Sequence, residues 1–167
     1  MKMKLTKFQN LSLEEKKEVL NWRNHPEIRK WMYDKNEISL QNHLSFIDNM
    51  PKNRIYLKIG DVGVINFKIS KDTAELGIHK NPDKKRVGNI LLKTAINYAF
   101  NELKAKKIVL YVFEDNIKAI NLYKKFGFRE VDKKDNLIKM ELIKNEELKT
   151  RSPKNQKIFW GIEENGE

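Results

Sequence analysis

The chain has 167 residues, a formal net charge of +11, no cysteine and three histidines. That length fits one domain, which buries roughly 70 % of the surface its unfolded chain exposes. The absence of thiols excludes disulfides, thiolate nucleophiles and Cys-type zinc centres, and three scattered histidines argue against a metal site.

No apolar run is long enough to cross a membrane. The start, Met1-Lys-Met-Lys-Leu-Thr-Lys, lacks the apolar core of a secretory signal, so a cytoplasmic location is expected. Lysines are spread along nearly every segment instead of forming a nucleic-acid module or an Arg-rich arm. The expected partners are therefore phosphate-bearing small molecules, with neither nucleic acid nor membrane, and a homodimer is allowed.

Met3 to Phe8 reads as a first strand, and Ser12-Leu-Glu-Glu15 as a capping box opening an amphipathic helix through about Trp22. Asn24-His25-Pro26 breaks it, because the residue before proline is pushed toward extended geometry. A short helix over Ile28 to Met32 follows, and Ser39 caps another through about Asn49. Arg54 to Ile59 and Val62 to Ile69 form a hairpin around Gly60-Asp61.

Thr73 to His79 is a fourth strand, followed by the Asn81-Pro82 break. A long helix from about Val87 to Leu103 comes next, with Leu92, Ile96, Ala99 and Leu103 on one face. Lys107 to Val112 is strand five, so strands four and five are parallel and joined by a right-handed crossover. After a helix opened by Asn116, Phe128 to Asp132 and Leu137 to Ile143 complete an antiparallel end. Residues 1–146 read as one domain and 147–167 as a charged tail, in which Ile158-Phe159-Trp160 is a possible docking segment.

Two stretches carry chemistry. The loop Asn81-Pro-Asp-Lys-Lys-Arg-Val-Gly88-Asn-Ile opens a helix, where unpaired N–H groups and the helix dipole favour an anion. Gly88 allows a ligand close to the backbone. The second, Asn116-Ile-Lys-Ala-Ile-Asn-Leu-Tyr123-Lys-Lys-Phe-Gly127-Phe128, places an amide and a phenol two turns apart on one helix face and closes with glycine. On strand four, alternation puts Glu75 and His79 on one side with Gly77 between them.

The pattern Asn-x-x-Ala-x-x-Leu-Tyr-x-Lys-x-Gly-Phe resembles the second half of the acetyl-CoA site of the GCN5-related N-acetyltransferases. The resemblance implies an α+β fold: a central twisted mixed sheet of about seven strands, splayed between strands four and five and flanked by helices. It implies acetyl-CoA as cosubstrate, without a metal. By position, Asn116 would contact the pantetheine arm, Tyr123 would protonate the departing thiolate, and Lys125 would lie near the cofactor phosphates. Ile78, Lys84, Arg86, Val87, Gly88 and Asn89 would complete the cofactor site.

The family's loop has Gln or Arg, two residues, Gly, one residue, then Gly; here Asp83, Arg86 and Gly88 stand in those places, so only the last matches. Arg86 is the candidate to replace part of the diphosphate contact. Direct transfer needs a neutral amine, a polarised carbonyl and a proton for the thiolate. Tyr123 suits the last, with an unperturbed pKa of about 10. Glu75, acting through water, is the first candidate for deprotonation and His79 the second.

The N-terminal third reads Asn21-Trp-Arg-Asn-His-Pro-Glu-Ile-Arg-Lys-Trp-Met32, then Ser39-Leu-Gln-Asn-His-Leu-Ser-Phe-Ile47. Trp22 and Trp31 taken alone read as core aromatics, and His25 as satisfying the turn. Arg, however, offers a planar fork for phosphate and His a switchable donor. Over residues 5 to 145 the chain resembles the acetyltransferases of pseudaminic acid biosynthesis. These act on UDP-4-amino-4,6-dideoxy-N-acetyl-β-L-altrosamine, in the route to flagellin glycosylation. By position, Arg23 and His43 would hold the nucleotide part, with Lys68 and His79 nearby. A ribosomal-protein-type N-terminal acetyltransferase is the alternative, and a non-catalytic basic nucleic-acid-binding protein a third reading. Acetylation of a peptide without use of UDP-sugars would mark the former, and a salt-sensitive gel shift indifferent to acetyl-CoA the latter.

Overall fold

The computed structural model describes residues 3–145, so the expected tail and Ile158 to Trp160 lie outside the described residues. Seven strands form one sheet in the order β1-β2-β3-β4-β5-β7-β6. They are β1 (Leu5–Lys7), β2 (Arg54–Ile59), β3 (Gly63–Ser70), β4 (Thr73–Lys80), β5 (Lys107–Phe113), β6 (Arg129–Lys134) and β7 (Leu137–Ile143). All neighbours are antiparallel except β4 and β5. The mixed sheet with a parallel central pair is the expected architecture.

Five α-helices flank it: α1 (Leu13–Asn24), α2 (Pro26–Arg29), α3 (Leu40–Asp48), α4 (Gly88–Asn97) and α5 (Ile117–Lys125). The caps explain where several of them start. Ser12 Oγ accepts the Glu15 N–H at 3.1 Å while Glu15 Oε1 accepts the Ser12 N–H at 3.0 Å, the reciprocal box that opens α1. Ser39 Oγ accepts the Asn42 N–H at 3.1 Å to open α3.

Several boundaries differ from the sequence expectation, three of them with an identifiable cause. The first strand stops at Lys7, because Phe8 turns inward through a 3₁₀ turn, Phe8–Asn10, and both Phe8 and Leu11 are buried. The short helix begins earlier, at Pro26, since proline suits a first helical position and His25 Nδ1 caps it by accepting the Glu27 N–H at 3.1 Å. The long helix changes to a π-helical turn over Tyr98–Glu102, closed by the Leu103 N–H on the Tyr98 carbonyl at 3.0 Å. Across this wider turn Ala99 and Phe100 remain buried and Tyr98 stacks on Phe67.

Alternation gives the sheet two unlike faces. Leu57, Ile59, Ile65, Phe67, Ala74, Leu76, Ile108, Leu110 and Met140 pack with Leu91, Leu92, Ala95 and Ile96 of α4 in the main core. The opposite face of β2, β3 and β4 carries Arg54, Tyr56 and Lys58, then Lys68, Asn66 and Val64, then Glu75, Gly77 and His79, aligned row by row. Only its far end is apolar: Val64 joins Phe8, Leu11, Val19, Trp22 and Ile47 in a second small core under α1 and α3. The rest is a polar floor.

Candidate active site

The parallel pairing of β4 and β5 is confined to Thr73↔Lys107, Ala74↔Ile108 and Glu75↔Val109. Beyond Glu75 the two strands continue to Lys80 and Phe113 unpaired with each other, so the sheet opens as a V with Glu75 at its apex. Ile78 and His79 lie on one open arm; Tyr111 and Phe113 lie on the other. The sequence motifs collect around this opening.

Gly88 is the first residue of α4, and Val87 before it has no capping side chain, which leaves the first-turn N–H groups to other acceptors. A Cβ on Gly88 would stand 2.9 Å from Leu122 Cδ2, so α4 begins directly against α5. Lys125 Nζ donates to Asn89 Oδ1 at 3.4 Å, a further bridge between the two helices. Asn116 caps α5 by accepting the Ala119 N–H at 3.4 Å. Tyr123, two turns on, packs against Phe128 at 5.9 Å, and burial pushes its hydroxyl up to about 12. The phenol therefore stays protonated.

The loop before α4 is built from a knot. Asn81, only 7 % exposed, donates to the Asp61 carbonyl at 2.9 Å and accepts the Asp83 N–H at 3.0 Å. Lys84, expected at the cofactor, pairs with the Asp61 carboxylate at 2.9 Å, and Lys80 Nζ reaches the Lys84 carbonyl at 2.6 Å. Lys84 thus ties the loop to the β2–β3 turn. Arg86 is exposed with φ +59°, a left-handed conformation that favours glycine. A non-glycine residue with a guanidinium thus occupies a backbone conformation that glycine adopts most readily.

The acceptor candidates fall into two groups. Arg23 Nη2 donates to the Asp34 carbonyl at 2.9 Å, while Nη1 is buried without a hydrogen-bond partner among the described residues. His79 Nε2 is buried and unpartnered in the same way; burial, then the Arg23 charge, pulls the imidazole down to about 3. Its ring is therefore neutral near pH 7. Lys68 stands on the exposed floor directly opposite Glu75. His43 is set apart: buried to 8 % exposure in α3 beside Phe8, it meets the Lys16 carbonyl through Nε2 at 2.9 Å. A carbonyl only accepts, so Nε2 carries the proton. Burial lowers the His43 pKa, leaving Nδ1 an acceptor in the neutral ring.

Sequence reasoning missed Tyr33, Arg54 and Tyr56. Tyr33 lies in the loop after α2, its ring edge-on to Phe113 at 6.2 Å. Its hydroxyl is pushed up to about 12 by burial, then by the charges of Glu75, Tyr111 and Tyr123. The residue as a whole is 64 % exposed, and the charges that act on its hydroxyl place it near the apex. The Asn24 side chain positions this loop by bonding both ways with the Ile38 backbone, at 2.8 Å each, assisted by Arg29 on the Lys35 carbonyl at 3.0 Å. No periodicity marks Tyr33 in the sequence. Arg54 and Tyr56 had a signal, the alternation of β2 against Ile55 and Leu57. Among the described residues no cluster of His, Asp or Glu is arranged to hold a metal, and no helix is long and apolar enough to cross a membrane.

Residues 7–129 match the family described as Acetyltransferase (GNAT) domain. The chain is 37 % identical over 137 residues to acetyltransferase PseH of Campylobacter jejuni, covering 78 % of this chain and 87 % of that protein. The crystal structure of the C. jejuni N-acetyltransferase PseH in complex with acetyl coenzyme A superposes with a TM-score of 0.71 at 28 % identity, over 86 % of this chain and 99 % of the other. A spermidine N-acetyltransferase from Vibrio cholerae, solved with CoA and spermine, gives a TM-score of 0.70 at 20 % identity over 85 % and 95 % of the two chains, a likeness of fold alone.

Proposed function

The chain belongs to the GNAT family of acetyltransferases and is an N-acetyltransferase that uses acetyl-CoA; from that premise we infer that its acceptor is the 4-amino group of a UDP-linked amino sugar. The sugar that fits this reading is UDP-4-amino-4,6-dideoxy-N-acetyl-β-L-altrosamine, an intermediate of pseudaminic acid biosynthesis. One observation carries the acceptor class: the polar floor beside the V holds Arg54 and Lys68 in line with Glu75, with Tyr56 in the next row and Arg23 close to Tyr56 and His79. A polyanionic handle suits such a floor. A polyamine would add positive charge to a surface already rich in it, at a Coulombic cost of several kcal/mol for each close pair at about ε 20.

In this reading bound acetyl-CoA supplies an activated thioester, and the residues here do the rest. The first turn of α4, with Arg86 and Lys125, receives the phosphates, and Asn116 meets the pantetheine arm. The amine lies near Glu75, which removes its proton through water. A main-chain N–H near Ile78 on the open arm of β4 polarises the carbonyl. Tyr123 gives its hydroxyl proton to the leaving sulfur, and burial that keeps the phenol protonated supports this role.

The test is mass spectrometry of the purified protein with acetyl-CoA and a panel of UDP-4-amino sugars, spermidine and short peptides. A single acetyl group on a UDP-amino sugar is the expected product. Acetylation of peptide N-termini with the sugars untouched would replace this acceptor with the peptide one.

A further inference from the structure

Three buried polar atoms have no partner among the described residues: Arg54 Nε and His79 Nε2 on the polar floor, and Arg23 Nη1 on α1, which packs against that face. Buried donors are satisfied in nearly all native proteins, so three on one surface need a common explanation. They form an arc. Arg54 Nη2 donates to the Tyr56 hydroxyl at 2.9 Å, and its guanidinium lies 5.5 Å from the centre of that ring. Arg23 is coupled electrostatically to Tyr56 on one side and to His79 on the other. Tyr56 thus stands between two guanidiniums that keep unspent N–H groups.

We propose that Arg54 and Arg23 together form the anion subsite of the acceptor pocket, with Tyr56 as the spacer that holds their guanidiniums toward one diphosphate. This deepens the nucleotide-sugar reading and rests on it. The register sets the polarity of the bound acceptor. Arg54, Lys68 and Glu75 face the same side in one row across β2, β3 and β4. At the usual interstrand spacing Arg54 and Glu75 are about 10 Å apart. A single sugar ring with its anomeric phosphate bridges such a gap, placing the anion at Arg54 and the ring amine at the apex of the V.

His43 does not fill the same role, because its protonated nitrogen is spent on the Lys16 carbonyl and the other ring nitrogen is an acceptor. Arg23 contributes one amino group only, since the other is committed to the Asp34 carbonyl and holds the Tyr33 loop. Arg54 is therefore the cleaner handle. Its removal disturbs no loop, whereas loss of Arg23 removes a phosphate contact and a loop staple together.

The experiment measures inhibition by free UDP against the amino sugar, together with the KM for acetyl-CoA, in wild type, Arg54→Ala and Arg54→Lys. Losing a charge-assisted contact weakens UDP by about ten- to a hundredfold in Arg54→Ala. The KM for acetyl-CoA is expected to stay within about twofold. Arg54→Lys, which guards against a misfolded alanine variant, should recover part of the affinity and not all, because an ammonium lacks the fork. Equal UDP inhibition of wild type and both variants overturns the Arg54 assignment while leaving the sugar reading in place. A wild-type enzyme indifferent to UDP removes the nucleotide reading and this subsite with it.

Discussion

Gly88 and Leu122 meet so closely that a single added carbon at Gly88 would lie 2.9 Å from Leu122 Cδ2. The start of α4 and the middle of α5 are thereby held in van der Waals contact beside the opening between β4 and β5. A bulky residue at Gly88 must push the two helices apart or displace Leu122. Overpacking of this kind costs about 1–3 kcal/mol. Gly88→Val is expected to raise the KM for acetyl-CoA by roughly tenfold or more, and Leu122→Ala in the same chain should recover much of it. Steady-state kinetics of the single and double variants check this; an unchanged KM in Gly88→Val would refute the close-contact account.

Tyr123→Phe removes a proton donor and little contact area. Turnover should fall by roughly ten- to a thousandfold, with acetyl-CoA affinity nearly intact. Because burial raises the wild-type phenol to about 12, its ionisation should leave no alkaline limb in the rate profile below that value. A folded Phe variant turning over at the normal rate would remove Tyr123 from the chemistry.

His79 makes a prediction about stability. Its pKa falls from an ordinary value of 6.5 to about 3 in the folded protein, first through burial and then through Arg23. The unfolded chain therefore takes up a proton as pH drops below 6.5 while the folded protein resists it. This contribution is fully present above pH 6.5 and is lost progressively between 6.5 and about 3, at up to about 1.4 kcal/mol per pH unit. His43, shifted in the same direction by burial, adds to the loss. Melting curves from pH 7 to pH 4.5 should show a shallower decline in His79→Asn than in wild type, and parallel declines would count against the buried neutral imidazole.

Arg86 separates strain from function. Its φ of +59° costs a non-glycine residue about 1 kcal/mol or somewhat more. Arg86→Gly should raise the melting temperature slightly while weakening acetyl-CoA, because relief of strain and loss of the charge proposed to meet the cofactor phosphates act on different quantities. Thermal denaturation and cofactor titration of the same variant distinguish them. If affinity holds while stability rises, Arg86 has no part in cofactor binding.

Local rules located most of the elements. The Ser12–Glu15 box, the Ser39 cap, the Asn116 cap and the alternation of β2, β3 and β4 each depend on residues a few positions apart. The reach of hydrogen bonds and the pleat fix such relations within one segment. The same closeness in sequence made the Asn116 to Phe128 pattern readable as half of a cofactor site. Some differences between expectation and structure involve a distant partner. Where the long helix widens, Tyr98 stacks on Phe67 of β3, and Lys84 pairs with Asp61 of the β2–β3 turn.

The acceptor side was the least legible for the same reason. Arg23 and His79 were identifiable as candidates, but neither the spent and unspent nitrogens of Arg23 nor the depressed imidazole follows from residue order. Arg54 comes into line with Lys68 and Glu75 only through strand register, and Tyr33 reaches the apex only because Asn24 fixes its loop. By itself the sequence determined most of the elements and the family resemblance, and it brought Gly88 and the Asn116 to Phe128 stretch forward as cofactor candidates. The tertiary structure alone decided which buried donors remain unpartnered and which charges share a surface, because burial and spacing between segments are properties of packing.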